Sequence, residues 1–462
     1  AQPRRFFSTM EILPYFTNSG NRKFSGHCDT LPHKSTQDIR IHHLFSAFRP
    51  LSSPFASFSI GLSIPSTGNV PRLMHDSESF TLQDFFPIIC FRTTKKGLND
   101  LTSNASYCSR LFGLDLFRIL CVLSIFLFHS HMHIGCDYGI LNGFISMGAT
   151  FMTAFFLLSG FSLFYTCRAQ DFSDIECITS FYRKRILSII PLYWFICIVY
   201  PVYDVLVNHG SALTNLLLFP LELLGLQQAF HSLFPFTHNG GTWFISCLIF
   251  CYALFPFLSR LFRCINTAGK KMLCLVLTVI CIYSPFVATY LNISDIYSNI
   301  FFRLLEFSIG ILLSSLITAP GKTPLAINTR TAAFFFCGGF FALIFLVSLG
   351  VHFSLFVNNY MIYNLVCLPL FCLLLIAAFY IPHAPDGISR LFSYFSKISY
   401  AFFLAQFFVW KLTSSVCSQI GTDNNLIKIT ISFVSCLLLS VFMHEWIEKN
   451  VRRLMQKYWK HN

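Results

Sequence analysis

Charge is what this sequence has least of. Asp, Glu, Lys and Arg together make up 11% of its 462 residues, less than half the roughly 25% of an ordinary soluble domain. That deficit excludes a conventional soluble enzyme. A long disordered chain is excluded as well, because 54% of the residues are hydrophobic. Cys-x-x-Cys pairs with zinc-ribbon spacing are missing, despite 18 cysteines. Most of those cysteines, such as Cys121, Cys197, Cys251 and Cys367, lie inside apolar runs, where a free thiol packs as a small hydrophobe. No signal peptide with a basic start, an apolar core and a small-residue cleavage site is visible.

Long apolar runs are what the sequence does have. From Leu111 onward, stretches of about 20 apolar residues alternate with short polar breaks, and that length crosses ~30 Å of hydrocarbon. Ten spans are expected, at 111–134, 143–166, 185–207, 242–262, 272–291, 300–319, 331–351, 360–381, 396–418 and 426–447. A shorter apolar stretch at 212–230 is broken by Pro220 and Glu222 and reads as interfacial or re-entrant. The expected fold class is all-α, a polytopic transmembrane helical bundle over 111–450 with a short basic tail at 451–462. Residues 1–110 are rich in Ser, Phe and Pro and show no helical period. They read as a poorly structured leader, and whether it is native is left open.

A net charge of +13 would suit a nucleic-acid binder, but its placement points to lipid instead. Basic residues collect in alternate breaks: Lys95, Lys96 and Arg110; Arg168, Arg183, Lys184 and Arg185; Arg260, Arg263, Lys270 and Lys271; Lys322 and Arg330; Arg390 and Lys397; and the tail. The five intervening breaks contain no Lys or Arg. By the positive-inside rule both ends then face the cytoplasm, and no nucleic-acid partner is expected. The largest outer break, 208–241, offers His231, His238 and Asn239 beside Trp243, residues that suit carbohydrate.

Ionisable residues at membrane depth are costly and mark candidate sites. The first span, "GLDLFRILCVLSIFLFHS", holds Asp115, Arg118 and His129. Eleven residues separate the arginine from the histidine, about 16 Å along a helix, and eleven steps of about 100° return to nearly the same face. One face thus carries a cation toward the inside and an imidazole toward the outside. His129 and His133 stand at i, i+4, but no third ligand lies near in sequence, so no metal is expected. Arg303 and Glu306 stand at i, i+3 in the span over 300–319, either as a structural ion pair or as part of a polar site. Lys411 and Glu445 read as snorkelling charges. The cations of "YRKRILSIIPLYW" serve topology, or hold the phosphates of an anionic cytosolic ligand.

Taken in order, these segments resemble the acyltransferase 3 family of membrane-bound acyltransferases. The first span resembles its hallmark, a Leu-Asp pair, then an arginine, ten residues and a histidine: Leu114, Asp115, Arg118 and His129. "FFLLSGFSLF", with Ser159 and Gly160, resembles the second signature, and "YRKRILSIIPLYW", with Arg183 and Arg185, the third. "GGTWFISCLIFCYALFP", with Trp243 and Tyr252, "FRLLEFSIG" and "SKISYAFFLAQFF" resemble the remaining three. Two positions depart from the family pattern. Leu248 and Ile249 stand where many members carry paired acids, and Gln406 stands where many carry a histidine.

The resemblance implies transfer of an acyl group, usually acetyl from acetyl-CoA, to a hydroxyl of an extracytoplasmic glycan or lipid-linked sugar. It implies acyl-CoA as donor, no permanently bound cofactor, and a place in the cytoplasmic membrane of a bacterium. Arg118 is expected to bind an anionic or carbonyl part of the acyl-CoA, with Asp115 orienting it or offsetting its buried charge. His129 is expected to take the acceptor's proton or to carry the acyl group. Arg183 and Arg185 are expected at the donor phosphates. Ser159, Trp243, Arg303 and Glu306 are expected to line the polar site. The competing readings are a transporter, for which matched broken helices are missing, and a non-catalytic scaffold or polymer-export partner.

Overall fold

The computed structural model describes residues 111–207, 210–230, 241–293, 296–318, 327–355 and 360–461. The leader and the loop residues His231, His238 and Asn239 lie outside the described residues. Among the described residues there are thirteen helices and no strand. In chain order they are α1 (Phe112–Ile134), the one-turn α2 (Asn142–Ser146), α3 (Phe151–Thr166), α4 (Ile175–Val207), α5 (Ala212–Leu223), α6 (Trp243–Cys264), α7 (Thr267–Tyr290), α8 (Ile300–Ile317), α9 (Thr329–His352), α10 (Asn364–Phe379), α11 (Asp386–Ile420), α12 (Asn425–Phe442) and α13 (Lys449–His461). The chain is an all-α bundle, as its hydropathy required.

Local sequence sets where several helices begin. Asn266, Asn299, Asn328 and Asn424 each accept a backbone N–H of the first turn of α7, α8, α9 and α12 with the side-chain oxygen, satisfying donors that the helix leaves open. At the end of α1, Gly135 takes the left-handed conformation (φ +66°), and Cys136 closes back on the Ser130 carbonyl.

Among the described residues, eight helices are long and apolar enough to cross a membrane, or nine if the bent α11 is one span. Their burial orders them. In α3, 78% of the apolar window is buried, and in α1 and α8 61%, whereas α7 reaches only 17%. α1, α3 and α8 therefore form the centre, and α7, α9 and α12 the lipid-facing rim. The rim exposes Leu275, Val287, Phe334, Phe341, Phe345 and Leu438. In water this would be a large apolar patch; in hydrocarbon it is the matched surface.

Glycines bring the two central helices together. A Cβ on Gly160 of α3 would sit 2.0 Å from the Phe307 carbonyl oxygen of α8, and one on Gly310 would sit 2.1 Å from the Leu157 oxygen. Only hydrogen fits at either place, so the two backbones touch, as small residues permit in membrane bundles.

The structure differs from the expected boundaries in an instructive way. α4 begins ten residues before the expected span and runs 33 residues, about 50 Å, far more than the hydrocarbon needs. α11 runs 35 residues. Hydropathy marks where lipid ends, whereas a helix continues for as long as its backbone bonds and packing allow. The opposite deviation occurs at α10, whose 16 residues, about 24 Å, fall short of the expected 360–381. Its direction is nonetheless clear. The Phe112 and Gly113 amides at the start of α1 donate to Pro382 and Ile381, just past the end of α10. α10 thus ends where α1 and α11 begin.

Candidate active site

α1 carries the arginine and histidine, and α11 supplies a partner to each. At the near end, the Ser396 hydroxyl of α11 donates to Asp115 Oδ1 at 2.6 Å and accepts from Arg118 Nη1 at 3.0 Å. Arg118 Nη1 also lies 3.7 Å from Asp115 Oδ1. At the far end, Gln406 of α11 pairs its Oε1 with His129 Nδ1 at 2.9 Å. Ser396 and Gln406 are ten residues apart and Arg118 and His129 eleven, with both pairs rising in the same direction. α1 and α11 therefore run parallel. Parallel spans require an odd number of crossings between them. The six long helices in between (α3, α4, α6, α7, α8 and α9) make an even number, so a shorter helix is needed as the seventh, and α10, which ends beside the start of α1, is placed to be it.

The inner end is polar and shielded. Asp115 is buried, and the Arg118 side chain keeps 27% of its exposure. A second guanidinium comes from α4. Arg185 lies over the Tyr252 ring of α6 at 5.9 Å and within hydrogen-bonding reach of that residue, and Arg118 is close enough to act on the same tyrosine electrostatically. The Arg185 Nε is buried and has no hydrogen-bond partner among the described residues. Tyr252 thus lies against Arg185 and within the electrostatic reach of Arg118. Arg183 does not join them. Two helical steps turn it about 200° away, where it lies exposed, 5.6 Å over Trp459 of α13, beside a surface groove of about 440 Å³ that Lys184, Glu176 and Thr179 also line.

The outer end is built around His129, which is half-buried. The His133 ring lies 5.5 Å away on the same helix. His131 turns aside to the Cys136 carbonyl at 2.8 Å, as an interfacial cap. Lys411, five residues past Gln406, donates to the Tyr200 hydroxyl of α4 at 2.6 Å and lies over the Tyr200 and Tyr203 rings at 5.0 and 5.6 Å. The half-buried ammonium is thus held against two aromatic rings. Past the end of α1, the exposed Asp137 accepts the Gly139 amide at 2.9 Å and bonds Asn142, which holds its carboxyl below the usual range.

Arg303 and Glu306 form a third polar group. Both are fully buried, and Arg303 Nη1 donates to Glu306 Oε2 at 2.7 Å. Thr153 of α3 donates to Glu306 Oε1 at 2.8 Å, and Arg303 Nε donates to the Tyr297 carbonyl at 2.8 Å. The Trp243 and Tyr297 rings cover the guanidinium at 5.5 and 4.9 Å. Trp243, Arg303 and Glu306 are thus brought together in one buried network. Ser159 is half-buried on α3 and makes no side-chain hydrogen bond to the described residues.

Residues 111–445 match the family model described as an acyltransferase domain. The chain belongs to the acyltransferase 3 family. No curated protein and no solved structure matches it. As a member of that family with this array of apolar helices, it is a multi-pass membrane acyltransferase. Nothing in the sequence of this acyltransferase marks Ser396 and Thr153 as partners of the charged residues, or Tyr200 as the partner of Lys411. Gln406 was visible only as a departure from the family pattern. Serine and threonine in an apolar run carry no signal of their own, and only the register between helices identifies them.

Proposed function

We propose that this acyltransferase moves an acetyl group from cytosolic acetyl-CoA to a hydroxyl of an extracytoplasmic glycan or lipid-linked sugar, in a bacterial cytoplasmic membrane. The observation that carries this reading is the single α1 face with Arg118 at one end and His129 at the other, each completed by the parallel helix α11. About 16 Å separates the two ends, too far for both to act on one carbonyl. Arg118, with Arg185, therefore anchors the donor from the inner side, and the extended pantetheine arm carries the thioester outward. His129 works where the acceptor arrives.

His129 takes the proton of the acceptor hydroxyl as its oxygen forms the new C–O bond at the thioester carbonyl. The C–S bond breaks, and the proton passes from the imidazole to the departing CoA sulfur. An acyl-His129 intermediate splits the same transfer into two steps. Asp115 and Ser396 hold Arg118, and the Arg303–Glu306 network keeps the central helices in register.

The test is mass spectrometry of surface glycans and lipid-linked sugars from cells with the protein, without it, and with His129→Ala at equal protein level. Loss of one acetyl mass per acceptor in both altered strains is expected. Full acylation in the His129→Ala strain overturns the assignment of His129. No acyl difference on deletion overturns the acceptor class and returns the transport reading.

A further inference from the structure

Among the described residues, Gln406 is the one side chain on a neighbouring helix that hydrogen-bonds His129, and it is 1% exposed. A carbonyl oxygen can only accept, so an amide oxygen facing His129 Nδ1 requires the proton on that nitrogen. A neutral imidazole has one proton, and Nε2 is then left with its lone pair. The other half of the amide is equally telling. Gln406 Nε2 is buried and has no hydrogen-bond partner among the described residues. A buried amide with an unused donor is unfavourable compared with an apolar side chain of the same shape. The position nonetheless carries an amide, and its oxygen is spent on the histidine.

We propose that Gln406 is the positioning residue of the acyl-transfer site: it holds His129 as the Nδ1–H tautomer and so makes Nε2 the atom that receives the acceptor's proton. This rests on the proposed role of His129. Free imidazole favours the opposite tautomer, so the protein must supply the bias, and the 2.9 Å contact supplies it. Because Gln is uncharged, it orients the ring without stabilising an imidazolium as a carboxylate would, and the base stays neutral at rest.

The titratable groups around His129 are few. His133 lies on the same helix, and His131 bonds away from it. α11 brings Lys411, which acts electrostatically on His133, and α12 brings Lys428, whose Nζ reaches the Ile134 carbonyl at 3.3 Å. Tyr138 is bonded to Ser130. The other neighbours, α2, α3 and α10, contain no Asp, Glu, Lys, Arg or His.

The experiment uses the full chain in detergent and in native membranes. Ring ¹⁵N shifts of labelled histidine, assigned to His129 by difference against His129→Ala, report which nitrogen is protonated. Release of CoA thiol from acetyl-CoA by membranes with their endogenous acceptors, followed across pH, reports transfer. Wild type is expected to show a protonated Nδ1. Gln406→Met, which keeps the volume, is expected to mix the tautomers and slow thiol release roughly 10- to 100-fold, within the range a displaced general base costs. Gln406→Glu keeps the acceptor oxygen. It should retain Nδ1–H, recover most of the rate and move the acidic limb of the profile to higher pH, because the carboxylate favours the imidazolium. A bare Nδ1 in wild type overturns the proposal, and so does a tautomer unchanged in Gln406→Met. If the tautomer follows Gln406 while His129→Ala transfers at the full rate, the role of His129 as base falls and the orienting contact stands, so the two failures are distinguishable.

Discussion

Ser396 and Asp115 share a 2.6 Å hydrogen bond between helices that lie 281 residues apart in sequence. The same hydroxyl accepts from Arg118, so a single serine sets the position of the arginine and disperses the charge of the aspartate. Ser396→Ala removes both contacts without changing the backbone. Hydrogen bonds to charged groups contribute about 1.5–3 kcal/mol, so the KM for acetyl-CoA should rise roughly 10-fold or more, with a smaller effect on kcat. Thiol-release kinetics in membranes check this. Equal loss of kcat and kcat/KM would move Arg118 from anchoring to the chemical step.

Arg183 and Arg185 should separate in the same assay. Arg185→Ala removes a guanidinium whose Nε is buried and unpartnered among the described residues, next to Arg118 and Tyr252. Its KM for acetyl-CoA should rise roughly 10- to 100-fold, the range of a lost charge-assisted bond. Arg183→Ala alters an exposed residue against Trp459 and should change KM by less than about threefold, as weak exposed charges do. Equal effects would place the donor in the surface groove instead.

Arg303→Met should act on folding. It strands Glu306 in a site with no exposure, and leaving one partner of a buried pair costs about 3–5 kcal/mol. Folded yield and melting temperature in detergent should fall sharply. Arg303→Lys, which keeps the charge but not the fork, should fall between the two. A normally folded Arg303→Met protein that has lost acyl transfer would make the network part of the active site.

Gly160→Ala and Gly310→Ala should each loosen the contact between α3 and α8, because the added Cβ would stand 2.0 or 2.1 Å from a backbone oxygen. Overpacking of this kind costs about 1–3 kcal/mol. The double variant should lose less than the sum, since a single separation of the helices relieves both clashes. Thermal unfolding of the three variants checks this, and strict additivity would refute a shared contact.

Crossing by α10 is open to labelling. Ser354→Cys, before it, and His383→Cys, after it, should react with an impermeant maleimide from opposite sides of the membrane, His383→Cys from the cytoplasm. The background should lack the exposed Cys264 and Cys337. Labelling of both from one side would show that α10 turns back.

The sequence by itself determined the class, the approximate places of the apolar helices, and the arginine and histidine that share one face of α1. Hydropathy reports the solvent of each segment, alternating basic breaks report its side, and an Arg and a His eleven residues apart share a helical face by geometry alone. None of this needs to know which helix lies beside which. The tertiary structure decided the rest. Whether Arg183 or Arg185 faces the interior depends on the angular setting of α4, which runs beyond the membrane where hydropathy is silent. Ser396, Gln406, Thr153 and Lys411 matter only through partners more than a hundred residues away, and a polar side chain in an apolar run takes its meaning from what it touches. The pairing of α1 with α11 is set by packing between chain segments that the sequence keeps far apart. That pairing gives Arg118 and His129 partners on one and the same helix.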